Sequence, residues 1–147
     1  CLSACQTGLN YVMRGDEVIG LVRAFLYAGS RSVMLSLWTV DEVSTRLLME
    51  MFYQELMTLE TYKVTASTAL ALSRAQAYLR NMTAQDIMQA LRARDMSISQ
   101  IEQYLTTLAH MHAGHGSYAQ HDALFSHPFY WAGFYLVGEK FFKVQNS

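Results

Sequence analysis

The 147-residue chain has only two cysteines, and both stand at its start, Cys1 and Cys5. Four residues apart in one apparent strand, they share a face. They are too far apart for an unstrained disulfide, because an extended chain rises ~3.3 Å per residue. Neither a disulfide framework nor a zinc ribbon fits this spacing, and such sparing use of thiols suits a reducing, cytoplasmic setting. Basic runs are absent as well. The 11 Lys and Arg are balanced by 12 Asp and Glu, which leaves no electrostatic footprint for nucleic acid or an anionic membrane and directs attention to protein partners. No apolar run approaches the ~20 residues of a membrane helix, and no signal-peptide pattern opens the chain. Neither Gly-x-Gly-x-x-Gly nor Gly-x-x-x-x-Gly-Lys occurs, which argues against a nucleotide-binding α/β domain. There is no internal repeat and no tetratricopeptide signature.

What the chain does have is apolar material: at 52% hydrophobic it is the size of one domain or of part of one. It opens without methionine, partway through an apparent strand, and reads as a piece of a longer chain. Cys1 to Ala4 is a short β-like run, ended by the turn residues Thr7-Gly8-Leu9-Asn10. Between Asp16 and Ala28, Val18, Ile19, Leu21, Val22, Phe25 and Leu26 recur at three- and four-residue intervals. Asp16 and Glu17 in the first turn favour the helix dipole, and Gly29 supplies the C-terminal stop, so this is a helix packed on a sheet. Ser32 to Trp38 is a second short strand. Strand, helix and strand joined by short turns predict a parallel, right-handed βαβ unit. In that unit Cys5 and the turn Trp38-Thr39-Val40-Asp41 share the sheet edge beyond the strands' carboxyl ends, where ligands and catalytic groups gather.

Asp41 to Met57 reads as an amphipathic helix with Asp41 or Thr39 as N-cap, and a further helix covers Ala66 to Arg80. Thr83-Ala84-Gln85-Asp86 opens Ile87 to Arg94, and Ser97-Ile98-Ser99-Gln100 opens Ile101 to Met111. Each start has the hydroxyl-then-acid/amide pattern of a capping box. These two short helices form an excursion, at about 82–112, before the sheet resumes. Ala113 to Ser117 is loop, and the aromatic, apolar run Phe129 to Val137 is a buried last strand ending at Gly138. The tail Lys140 to Ser147 is either an edge element or disordered.

A lone cysteine at a strand end is most often a small buried hydrophobe. At a sheet's carboxyl edge, in a turn containing Gly8, Cys5 is instead a candidate exposed nucleophile. Asp41 has an ordinary structural role as an N-cap, worth ~1 kcal/mol. Arg23, Tyr27 and Phe129-Tyr130-Trp131 read as packing. Asp16 and Glu17 point about 100° apart on a helix and do not form a carboxylate pair for acid/base work. The spacing His110-x-His112-x-x-His115 lacks a supporting carboxylate pair or cysteines, which favours a polar loop cluster over a metal site.

Four stretches in this order resemble the CHAT domain, a caspase-like cysteine peptidase family often joined to tetratricopeptide repeats. They are Ser3-Ala4-Cys5-Gln6-Thr7-Gly8, the helix from Gly15 to Gly29, the strand and turn Ser32 to Asp41, and His127-Pro128-Phe129-Tyr130-Trp131-Ala132-Gly133-Phe134. The resemblance implies a three-layer α/β/α fold with a mainly parallel sheet, of which residues 1–147 are the C-terminal part and the N-terminal strands are missing. It implies Cys5 as nucleophile, with the Cys5 backbone amide in the oxyanion hole. The general base is a histidine in a His-Gly pair upstream of the cysteine, so this fragment alone is expected to be inactive. His115-Gly116 mimics that pair but lies on the wrong side of Cys5, and His127 matches the family's downstream block as a structural residue. Asp41 falls where an acid in this wider group lines the pocket for the residue before the scissile bond, favouring Arg or Lys. Trp38 and Thr39 are candidates for its wall, and Glu42 is a weaker second acid. The resemblance further implies a bacterial, cytoplasmic protein acting on a protein or peptide, without metal or organic cofactor, controlled by a repeat or sensor domain in the same polypeptide. The alternative is a non-catalytic scaffold or protein-interaction module with the same fold.

Overall fold

The computed structural model describes residues 15–64, 67–113 and 117–138. Helix α1 (Gly15–Tyr27) forms where predicted, and its end shows why it stops. Gly29 takes φ +93°, a left-handed conformation that glycine adopts without a Cβ penalty. Its N–H donates to Leu26 O at 3.1 Å while the Ser30 N–H donates to Phe25 O at 3.0 Å, the paired bonds of a Schellman cap. Tyr27, expected to pack, is 92% exposed because it falls on the outer face of the last turn.

The chain then enters β1 (Ser32–Ser36), two residues shorter than predicted. Side chains alternate across a strand, and β1 is apolar on both sides. Val33 and Leu35 pack with Val22, Phe25 and Leu26 of α1, whereas Met34 joins the larger core. Strand β2 (Phe134–Gly138) pairs with β1 antiparallel, Ser32 opposite Gly138 and Ser36 opposite Phe134. Among the described residues the sheet is therefore two-stranded and antiparallel. The expected mainly parallel sheet is not present there. The physical reason lies in where the chain returns: the Leu37 N–H donates to Gly133 O at 2.7 Å, so β2 begins beside the end of β1 and must run back along it. The expected strand Cys1 to Ala4, its turn, and the tail Lys140 to Ser147 lie outside the described residues.

Between the strands come four helices, α2 (Glu42–Thr61), α3 (Ser67–Asn81), α4 (Ala84–Arg92) and α5 (Ile98–Ala113). Helices α2 and α3 form an extensively packed pair, and α4 packs on α5. The α4 start is a capping box in which Thr83 Oγ1 accepts from the Asp86 N–H and Asp86 accepts from the Thr83 N–H. Ser97 and Gln100 make the same reciprocal pair before α5, at 3.1 and 3.3 Å. Both were predicted from the sequence. Leu48, Leu79, Ile87, Ile101, Leu105 and Phe125 are almost wholly excluded from solvent and form the centre of the main core. No helix among the described residues is long and apolar enough to cross a membrane.

The last predicted strand needs correction at its beginning. Residues 129–133 form turns, with the Tyr130 N–H donating to His127 O and the Ala132 N–H to Pro128 O. Tyr130 is buried against Phe125 at the heart of the core, while Phe129 is partly exposed. The aromatic run is packing, as expected, but the polar backbone of these residues closes local turns rather than a sheet ladder.

Candidate functional site

The turn after β1 brings Trp38, Thr39 and Asp41 together. Val40 is buried and anchors it, while Leu37 and Thr39 are exposed. The Trp38 indole Nε1–H donates to Phe129 O at 3.0 Å, which fixes the ring against the segment that precedes β2. Gly133 makes that approach possible: a Cβ there would lie 3.0 Å from both Trp38 Cε2 and Val40 Cγ1. Tied at one edge and 37% exposed, the Trp38 ring presents a rigid wall to solvent.

Asp41 ends this turn as the N-cap of α2, with φ −64° and ψ 137°. Its Oδ2 accepts from the Ser44 N–H at 2.8 Å, and the Ser44 hydroxyl donates back to Asp41 O at 3.1 Å. The same Oδ2 accepts a third-party bond at 2.7 Å from the Tyr104 hydroxyl on α5, 63 residues away in sequence. No described residue donates to Asp41 Oδ1. Burial, and then the Asp41 charge, push the Tyr104 phenol far above its ordinary range, so it stays a proton donor. Burial, and then the Asp41 charge, also raise the Tyr130 phenol. Asp41 is thus a half-buried acid that accepts from a phenol on a distant helix. An acid with one oxygen committed and the other uncommitted can accept from an incoming guanidinium or ammonium group.

Cys5 and its backbone amide lie outside the described residues, whereas Trp38, Thr39 and Asp41 follow one another in the turn after β1. Glu42 is exposed on the first turn of α2. Of the histidines, His110 and His121 are exposed, and His127 Nδ1 accepts from the Phe129 N–H at 3.2 Å. That bond gives His127 a role in shaping the turn that carries Phe129. The His112 side chain and His115-Gly116 lie outside the described residues. Among those described, no group of three or more His, Cys, Asp or Glu is placed to hold a metal ion.

An open groove of about 870 Å³ runs between α2, α3 and the start of α4, lined by Met51, Gln54, Glu55, Arg74, Tyr78 and Asp86. Within it Arg74 pairs with Glu55 at 3.1 Å, and Asp86 Oδ2 accepts from the Thr83 N–H and hydroxyl. Its lining contains no thiol, imidazole or serine hydroxyl for covalent chemistry.

Sequence reasoning missed Tyr104. Its spacing with Ile101, Leu105 and Leu108 marks a core-facing stripe, and periodicity reports burial without naming the partner of a hydroxyl. It also missed Gln76, whose side-chain amide donates to Trp131 O and Phe134 O at 3.0 and 3.1 Å and ties α3 to the start of β2. A family model described as the CHAT domain matches residues 1–139. No curated protein and no solved structure matches the chain.

Proposed function

The chain belongs to the CHAT domain family, a caspase-like, peptidase-related family, and from that premise we propose that it is the cysteine-bearing part of a cysteine endopeptidase. The observation that carries this reading is the extent of the family match, which runs from the Ser3-to-Gly8 cysteine motif through the turn at Asp41 to the end of β2. On this reading residues 1–147 are the C-terminal part of a caspase-like α/β/α domain, and the helices at about 82–112 are an insertion in it.

The Cys5 thiolate attacks the scissile carbonyl carbon, forming an S–C bond, and the carbonyl oxygen becomes an oxyanion that accepts from the Cys5 backbone N–H. A histidine from sequence preceding Cys1 takes the thiol proton and returns it to the leaving amine as the C–N bond breaks. Water then hydrolyses the thioester and regenerates the thiol. Thiol acyl transfer of this kind requires neither a metal nor an organic cofactor. Asp41 binds the Arg or Lys that precedes the scissile bond, with Trp38 and Thr39 as walls. The exposed indole face supports this role, since guanidinium groups stack on aromatic surfaces. A repeat or sensor domain in the same polypeptide would control access to the site.

The test is cleavage of a proteome-derived peptide library by the full-length protein. Cuts after Arg or Lys that vanish in Cys5→Ala are the expected result. Undiminished cleavage by Cys5→Ala would remove Cys5 as nucleophile, and a wild-type protein that cuts nothing would favour the scaffold reading.

A further inference from the structure

We propose that Tyr104 is a positioning residue for substrate selection, through which the α4–α5 segment holds the Asp41 carboxylate in the orientation that receives a basic side chain. This inference rests on the reading of Asp41 as the acid that binds the residue before the scissile bond.

An aspartate N-cap is normally oriented by its own helix alone, through one bond from the N–H two or three residues on. Asp41 has that bond, from the Ser44 N–H at 2.8 Å, yet its Oδ2 also accepts from the Tyr104 hydroxyl at 2.7 Å. Two donors converging on one oxygen fix the plane of the carboxylate. They also commit that oxygen, leaving Oδ1, to which no described residue donates, as the acceptor for an incoming cation. Tyr104 is suited to this because its ring packs against the main core and its hydroxyl reaches Asp41 in the turn after β1. Burial keeps the phenol protonated, so it remains a donor whatever the substrate brings. The tie also spans the molecule: α5 reaches the turn after β1 from 63 residues away, so a displacement of α5 would release the acid.

The test compares kcat and KM of the full-length protein on matched peptides carrying Arg or its neutral isostere citrulline before the scissile bond. Tyr104→Phe keeps the ring and deletes only the donor. It should lower the Arg-to-citrulline ratio in kcat/KM about tenfold, the scale of one hydrogen bond to a charged group, through KM alone and with citrulline unaffected. In an Asp41→Asn background the same change should leave the ratio where it stands. Equal losses on both peptides, or an unchanged ratio in Tyr104→Phe while Asp41→Asn collapses it, would overturn the role of Tyr104 and leave the pocket reading intact. An unchanged ratio in Asp41→Asn would remove the pocket reading and this inference with it.

Discussion

The starts of α2 and α4 solve the same problem in different ways. Each helix leaves its first N–H groups without intrahelical partners, and each meets them with a side-chain oxygen. At α4 the solution is local: the Thr83 N–H and hydroxyl both donate to Asp86 Oδ2 and the Asp86 N–H donates to Thr83 Oγ1, all within four residues on the surface. At α2 it is long-range: Asp41 Oδ2 accepts from the Ser44 N–H of its own helix and also from the Tyr104 hydroxyl on α5, 63 residues away. The difference separates a helix start held within its own first turn from one tied to a distant helix.

Removing each cap is the sharpest way to break the comparison. Asp41→Ala deletes the cap and strands the Tyr104 hydroxyl in a partly buried site, and should cost ~2 kcal/mol. Urea unfolding of the full-length protein checks it, and the loss should shrink in a Tyr104→Phe background, where no hydroxyl is stranded. Thr83→Ala deletes an exposed cap alone and should cost ~1 kcal/mol, with no dependence on residue 104. Equal costs for the two, both indifferent to Tyr104, would show that the α2 start is as local as that of α4.

The smallest effect is in acid. The Thr83 hydroxyl, and then its backbone N–H, hold the Asp86 carboxyl below its ordinary value of 3.8. A depressed carboxyl contributes stability above its unfolded value and loses it as pH falls through the folded one. Asp86→Asn should therefore flatten the fall in α4 stability below about pH 4, read by amide exchange in its first turn. The size is modest because Asp86 is exposed and solvent screens it.

The same contrast explains how much could be read in advance. Both capping boxes, the Gly29 stop and Asp41 as N-cap depend on residues within a few positions of one another, and the sequence shows them directly. Lys63, at φ 52° after α2, carried no such signal. Its N–H and that of Val64 nevertheless close the helix onto Glu60 O and Leu59 O, because the buried Leu59 end determines where the chain must turn. The antiparallel pairing of β1 with β2 was beyond reach for a related reason, since it depends on how four intervening helices deliver the chain to Gly133. The Trp38 and Tyr104 ties, spanning 91 and 63 residues, belong to the same class. At the candidate site, the resemblance to the CHAT domain pointed to Trp38, Thr39 and Asp41, and the fold shows the long-range partners of Trp38 and Asp41.

The central claim is that Cys5 is a nucleophile served by the Asp41 corner. The most direct measurement treats the full-length protein with an irreversible peptidyl acyloxymethyl ketone carrying Arg next to the reactive group, and maps the adduct by mass spectrometry. A single adduct on Cys5, formed faster than with a citrulline probe, with that preference lost in Asp41→Asn, is the expected result. An adduct on Cys1 in preference to Cys5, or modification of neither, would contradict it.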